Sequence, residues 1–349
     1  FGANLDSISD RCYAYNNFWG SGVAHTRGLR ATSTSDRLSG NEFSNLTINC
    51  EDSQVVTPNS RNSGYSGINI GHDSASSDAS RTLVIGGVSE NNNFEGISVA
   101  GSDDVTIFGT YCNNNGANSG ANDRYGVRTL AGCNRLHLIG LKITASKNSG
   151  IYLQFGSGHR VESCKSYAND RTGMLLVVTE CNISDCEIFN NNQLGGANRA
   201  GLQADTGNVT VTDCHIYDDQ ASPTQSYGVL AAEKTIGGVV KRAVVRLVGC
   251  TLLNNIISPT TLSGTGVARY YQTRIGTDPM SGSFQLVNAT TSTVITNDNA
   301  SDASRIVLIP RDGQAAARNA FPVSVVIGTS FGVNHNTADG TEDFNYLIM

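Results

Sequence analysis

A four-residue phrase, glycine followed by apolar, variable and apolar positions, returns seven times along this chain. It reads Gly67-Ile68-Asn69-Ile70, Gly96-Ile97-Ser98-Val99, Gly126-Val127-Arg128-Thr129 and Gly150-Ile151-Tyr152-Leu153, then Gly173-Met174-Leu175-Leu176, Gly201-Leu202-Gln203-Ala204 and Gly228-Val229-Leu230-Ala231. Successive glycine numbers differ by 29, 30, 24, 23, 28 and 27. A period this short points to stacked units, each too small to bury its own apolar face. Between the phrases lies a second run that alternates apolar and polar, as in Val105-Thr106-Ile107, Leu136-His137-Leu138, Val209-Thr210-Val211 and Val245-Arg246-Leu247. A period of two belongs to a strand with one buried face. A third short run closes on asparagine or aspartate, at Asn113-Asn114-Asn115, Asn190-Asn191-Asn192, Asp218-Asp219 and Asn254-Asn255. These side chains tolerate the left-handed backbone of a sharp corner. Three strands and three corners per unit describe one coil of a right-handed parallel β-helix, an all-β solenoid expected over residues 1–258.

Composition agrees. The chain has 38 Gly, 6 Pro and 15% charged residues, which suits short strands joined by tight polar turns. Its 39% hydrophobic content is too high for disorder. A net charge of -6 argues against a nucleic-acid partner, which needs a basic face. No apolar run approaches the roughly 20 residues of a membrane span, so membrane insertion is not expected. The start, Phe1-Gly2-Ala3-Asn4, has neither an initiator Met nor a signal-peptide pattern. Ile8-Ser9-Asp10-Arg11-Cys12 already resembles Ile183-Ser184-Asp185-Cys186, so the chain is expected to begin inside the solenoid, behind a further N-terminal module. The nine cysteines form no CxxC pair, and no metal or cofactor is expected. Cys164, Cys186, Cys214 and Cys250 share one inward position of four coils, with Leu141 in another. The expectation is a buried, reduced thiol ladder.

The repeat fades after Asn255. A Ser/Thr/Gly-rich connector is expected at 259–282, then a tail of short alternating strands at 283–349 with a single short helix near 314–319. The tail contains Ser304-Arg305-Ile306-Val307-Leu308-Ile309-Pro310, then Val323-Ser324-Val325 and Gly328-Thr329-Ser330-Phe331-Gly332-Val333, and ends Gly340-Thr341-Glu342-Asp343-Phe344-Asn345-Tyr346-Leu347-Ile348. Over residues 301–349 this order of motifs resembles the C-terminal domain of many bacteriophage tailspikes and related pectate-lyase-like prophage proteins. The solenoid resembles that family in architecture only. The resemblance implies a homotrimer carried in the virion, attached to the phage tail or baseplate through the N-terminal module. It also implies a protein that acts at the bacterial outer surface on lipopolysaccharide O-antigen, capsular polysaccharide or exopolysaccharide. Catalytic residues vary within the family, so none carries over.

The candidate chemistry comes from the outward positions. Lys142, Lys165, Glu187 and His215 form one row on the third strands, beside Thr144, Tyr167, Phe189 and Tyr217. Aromatic rings can stack on apolar sugar faces while charges take hydroxyl hydrogen bonds. The competing reading is a solvated face with exposed rings. Hydrolysis of a glycosidic bond needs two carboxyls, so Asp185, Glu187 and Asp213 are the candidate acids, with Asp205 in reserve on the preceding strand. Lys165, Tyr167, Tyr217, His215, Tyr152, Arg128, Gln203 and Trp19 are the candidate substrate contacts. An endo-acting glycoside hydrolase is the leading reading. A lyase acting on a uronic acid with a Lys, Arg, His or Tyr base, for which the pair Lys142 and Lys165 beside acids is a candidate, or a non-catalytic receptor-binding adhesin, would use the same scaffold.

Overall fold

The computed structural model describes residues 6–18, 20–26, 30–71, 79–117, 124–130, 132–196, 199–253, 255, 258–262, 267–271, 274–275, 281–285, 292–296, 306–310, 320–326, 330–336 and 343–348. Each coil contributes three strands, and each strand pairs in parallel with its counterpart one coil on. The first sheet carries Val23–Thr26, Leu46–Asn49, Ile68–Gly71, Ile97–Ala100, Val127–Thr129 and Ile151–Gln154. The second runs through Leu83–Ile85, Thr106–Phe108, His137–Ile139 and His159–Glu162. The third has eleven strands among the described residues, from Tyr13–Tyr15 to Arg274–Ile275. In two later coils the first and second strands fuse into one long strand, Met174–Ser184 and Ala200–Thr212. The architecture is a parallel β-helix, as the glycine phrase predicts.

Stacking puts like on like. Ile68, Ile97, Val127 and Ile151 lie in one inward row of the first sheet, and all are fully buried. Val84, Ile107, Leu138 and Val161 do the same in the second. Each such side chain contributes about 1.5–3 kcal/mol relative to exposure. Cys164, Cys186, Cys214 and Cys250 are no more than 1% exposed, at the inward position expected of them. The backbone N–H of Cys164 donates to Cys186 Sγ and that of Cys186 to Cys214 Sγ, both at 3.4 Å. Burial pushes the Cys112 and Cys181 thiols, elsewhere in the core, up to about 12.

The corners divide the labour between neighbouring residues. Asn91, Asn114 and Asn190 take the left-handed conformation, with φ of 56°, 48° and 53°. The next residue in each coil turns inward and is buried: Asn92, Asn115 and Asn191. Their amides chain from coil to coil, Asn92 Nδ2 to Asn115 Oδ1 at 2.8 Å and Asn169 Nδ2 to Asn191 Oδ1 at 2.9 Å. The chain continues from Asn191 through Gln225 to Asn255. One rung differs: Ser146 stands between Asn115 and Asn169, and its buried hydroxyl has no hydrogen-bond partner among the described residues.

Several expectations change. Asn59–Arg61, which lies in none of the runs the repeat marks, is a strand of the third sheet. Its inward residue is Ser60, so the apolar signal is absent. Stacking also extends past residue 258: Ser258–Leu262, Val267–Tyr271 and Arg274–Ile275 pair in parallel with the preceding coil. Strands therefore occupy much of the expected connector at 259–282, where Ser and Thr replace the apolar alternation. A hairpin departs from the solenoid, with Glu233–Ile236 antiparallel to the start of Val239–Val248. The short helix expected at 314–319 lies outside the described residues. Around it the tail forms two antiparallel three-stranded sheets, centred on Asp343–Ile348 and Ser330–Asn334. Phe331, Val333 and Phe344 are buried there. No helix among the described residues is long and apolar enough to cross a membrane.

Candidate functional site: an aromatic-walled groove on the first sheet

The residue before each glycine of the repeat sits where the third-to-first corner opens onto the first sheet. In successive coils it is Ser66, Glu95, Tyr125, Ser149, Thr172, Ala200 and Tyr227. The single acid in this series is 3% exposed. Ser66 Oγ donates to Glu95 Oε2 at 2.7 Å from one coil, and Arg128 Nη1 donates to Oε1 at 3.0 Å from the other side. Burial raises the Glu95 pKa, and the Ser66 and Arg128 hydrogen bonds offset that only in part. Arg128 also lies over the rings of Tyr125 and Tyr152, 5.5 and 5.9 Å from their centroids. Those two rings are 4.8 Å apart. Acid, guanidinium and two tyrosines thus form one cluster drawn from three coils.

This cluster closes one end of a groove of about 810 Å³. The floor is the outward row Thr47, Asn69, Ser98 and Arg128, in register over four successive coils. Phe43 and Tyr65 stand on the corner side, 51% and 39% exposed, and Phe155 stands opposite at 37%. Tyr65 is braced by Phe94, with ring centroids 4.4 Å apart. The hairpin meets the cluster at this same end, where Ile236 packs on Tyr125, Tyr152 and Val177. A smaller dish of about 410 Å³ on the second sheet is lined by Asp104, Arg135, His137 and Arg160 among others. Its Arg135 is already held by Asp103 and Asp104.

The structure brings some candidates of the sequence together and separates others. Arg128 and Tyr152 meet at the groove. Gln203 and Asp205 share that sheet farther along, where Gln203 Nε2 donates to Asp205 Oδ1 at 2.8 Å and Lys234 Nζ lies 3.8 Å from Asp205 Oδ2. Trp19 lies outside the described residues. Lys165, Glu187, His215, Tyr167 and Tyr217 are on the third sheet in the expected register. Their rings are arranged differently from a sugar platform. Tyr167, Phe189 and Tyr217 stack on one another, with centroids 4.8 and 5.0 Å apart and planes within 2° and 3° of parallel. Lys142 Nζ covers the outer face of Tyr167 at 5.7 Å. Both faces of Tyr167 and Phe189 and one face of Tyr217 are therefore occupied within the protein, and Lys165 Nζ holds Glu187 Oε2 at 3.0 Å.

Asp185 and Asp213 do stack on adjacent coils, as expected. They are corner residues, however, with φ of 53° and 50°, and not outward strand positions beside Glu187. Other coils place Gly109, Gly140 and Gly249 at this corner, so the backbone conformation accounts for the residue type. Sequence reasoning passed over Glu95. Its signal was an acid in a series that is otherwise small or aromatic. Among the described residues no group of three or more His, Cys, Asp or Glu side chains could hold a metal ion.

The chain is thus a parallel β-helix protein with a polar-floored, aromatic-walled groove across its coils. No protein-family model matches the sequence, and no curated protein matches it. Among solved structures, Geobacillus virus E2 ORF18 aligns over 99% of this chain and 66% of its own, with a TM-score of 0.50 and 12% identity. The periplasmic alginate epimerase AlgG aligns over 71% of this chain and 73% of its own, with a TM-score of 0.46 and 11% identity. The tailspike protein gp49 from Pseudomonas phage LKA1 aligns over 93% and 67%, with a TM-score of 0.31 and 12% identity. At these identities the likeness is one of fold.

Proposed function

We propose that this chain is the body of a phage tailspike that binds a bacterial surface polysaccharide in the first-sheet groove and cleaves an internal glycosidic bond. The observation that carries the reading is Glu95, a carboxyl with a raised pKa at the end of a groove walled by exposed rings. Rings of this kind stack on sugar faces, and a floor of hydroxyls and amides suits sugar hydroxyls. In this reading Glu95 keeps its proton and delivers it to the leaving glycosidic oxygen. Ser66 and Arg128 fix the carboxyl's orientation. Hydrolysis in its usual form needs a second carboxyl, and Glu95 is the one acid among the described groove residues. The second then comes from a neighbouring protomer of a trimer assembled through residues 283–349. Such a protein belongs in the virion, held to the tail or baseplate and working at the bacterial surface.

A second reading, β-elimination, draws on the contact of Arg128 with Tyr152, since a tyrosine beside a guanidinium can act as a base. One assay separates them. Purified protein is incubated with host surface polysaccharide, and both chain length and absorbance at about 235 nm, where an unsaturated uronate product absorbs, are followed. Shortening without new absorbance is expected. Glu95→Gln should slow it by about 100-fold or more, the usual worth of a general acid. Asp185→Asn, Glu187→Gln and Asp213→Asn, on other faces, should cleave as the wild type does. Wild-type cleavage by Glu95→Gln, with loss in one of the other three, would move the site to the third sheet.

A further inference from the structure

Acidic and basic side chains in the groove are confined to one bonded pair. Of its described lining residues only Glu95 and Arg128 are a carboxyl or a base, and they bond to each other with side chains 4% and 14% exposed. The floor at Thr47, Asn69 and Ser98 and the wall at Gln154 are neutral donors and acceptors. Cations occur elsewhere: Lys142 and Lys165 face outward on the third sheet, and Arg160 on the second. The solenoid repeats its rows faithfully, yet the row that forms this floor holds no cation before Arg128.

From this distribution we infer that the polymer segment held by the groove is uncharged: a run of neutral pyranoses laid across the coils, without uronate, sialate or sulfate in contact with the floor. The inference rests on the groove being the polysaccharide site. An anionic sugar there would lose water without meeting a free cation, beside a carboxyl whose guanidinium is already engaged. The chain's net charge of -6 adds a repulsive field at longer range. Neutral sugars meet neither penalty. Their apolar faces fit Phe43, Tyr65 and Phe155, and their hydroxyls pair with the floor. Coils spaced about 4.8 Å apart offer one polar floor residue per coil, a spacing close to the length of one pyranose.

The test measures binding of the whole protein to a panel of purified bacterial polysaccharides, half neutral and half containing uronic or sialic acid. Each is titrated between about 0.05 and 0.5 M NaCl, a range over which the Debye length shrinks severalfold. The expected result is binding to neutral polymers with Kd changing less than about twofold over that range. Phe43→Ala, at an exposed position, should weaken it by about three- to tenfold, the worth of one stacked ring. Binding confined to acidic polymers, weakening steeply with salt and still lowered by Phe43→Ala, would overturn the substrate class and leave the groove as the site. Binding indifferent to Phe43→Ala and Tyr65→Ala would overturn the groove reading and this inference with it.

Discussion

Glu95 shows what a single residue can do when a repeat places it in a crowded corner. Its pKa is raised above the ordinary 4.5 by burial, so the folded chain holds that proton to higher pH than the unfolded chain does. Protonation therefore favours the folded state. The stabilisation is complete below the unfolded value and disappears as pH rises through the folded one. As a general acid Glu95 works in the same form, so kcat/KM for depolymerisation should fall on the alkaline side with an apparent pKa above 4.5. Glu95→Gln cannot ionise, and its melting temperature should gain on the wild type as pH rises through that window. A limb at or below 4.5, or equal pH dependence of the two melting curves, would show that the carboxyl titrates as an exposed one. Sequence alone brought out Arg128 and Tyr152 here, because alternation on the glycine strand marks them as outward. It could not bring out Glu95, which lies outside any strand and owes its raised pKa to burial, with partners on two other coils, Ser66 and Arg128.

At the scale of the element, the corner amides carry a prediction of their own. Ser146 occupies a rung that asparagine fills at Asn115 and Asn169, and its hydroxyl is buried without a partner among the described residues. The glycine facing it, Gly126, has Ile143 and Ser146 for neighbours, much as Gly173 has Ile188 and Asn191. The asparagine side chain thus has a precedent in the same packing two coils away. Ser146→Asn should satisfy the orphaned rung and raise stability by about 1 kcal/mol, the net value of one buried hydrogen bond, read as a higher denaturation midpoint. A lower midpoint would mean that this corner is too tight for the ladder. The aromatic ladder makes the opposite case. Phe189→Ala removes two ring stacks and should cost about 1–3 kcal/mol while leaving polysaccharide affinity unchanged. A loss of affinity at constant fold would return the third sheet to the binding site. The rows themselves were legible, since spacing fixes which residues stack. What the rings do with their faces was not, because stacking on a neighbour and stacking on a sugar leave the same alternation in the sequence.

At the scale of the whole molecule the solenoid and the tail pose different problems. A β-helix closes its own core coil by coil, and its strands stay legible as long as the inward residues are apolar. That is why the coils from Ile68 onward could be read and the Ser/Thr-rich coil at 258–275 could not. The tail is built differently. Among the described residues each of its two sheets has three strands: Ser281–Gln285 and Ile306–Pro310 flank one, Ser292–Thr296 and Phe321–Val326 the other. Sheets this small bury little by themselves, and an edge strand is a template for pairing with another chain. Closure around a three-fold axis satisfies both demands with one head-to-tail contact repeated three times. Light scattering should therefore give three times the chain mass of 36.8 kDa, unchanged on dilution. Deleting residues 283–349 should release single chains that still bind polysaccharide through the first-sheet groove. Cleavage should be lost with the trimer if the second carboxyl comes from the neighbouring protomer. A single-chain mass for the intact protein would rule out the trimer. Full cleavage by the truncated monomer would instead confine all the chemistry to one groove, with Glu95 working beside a second group of its own chain.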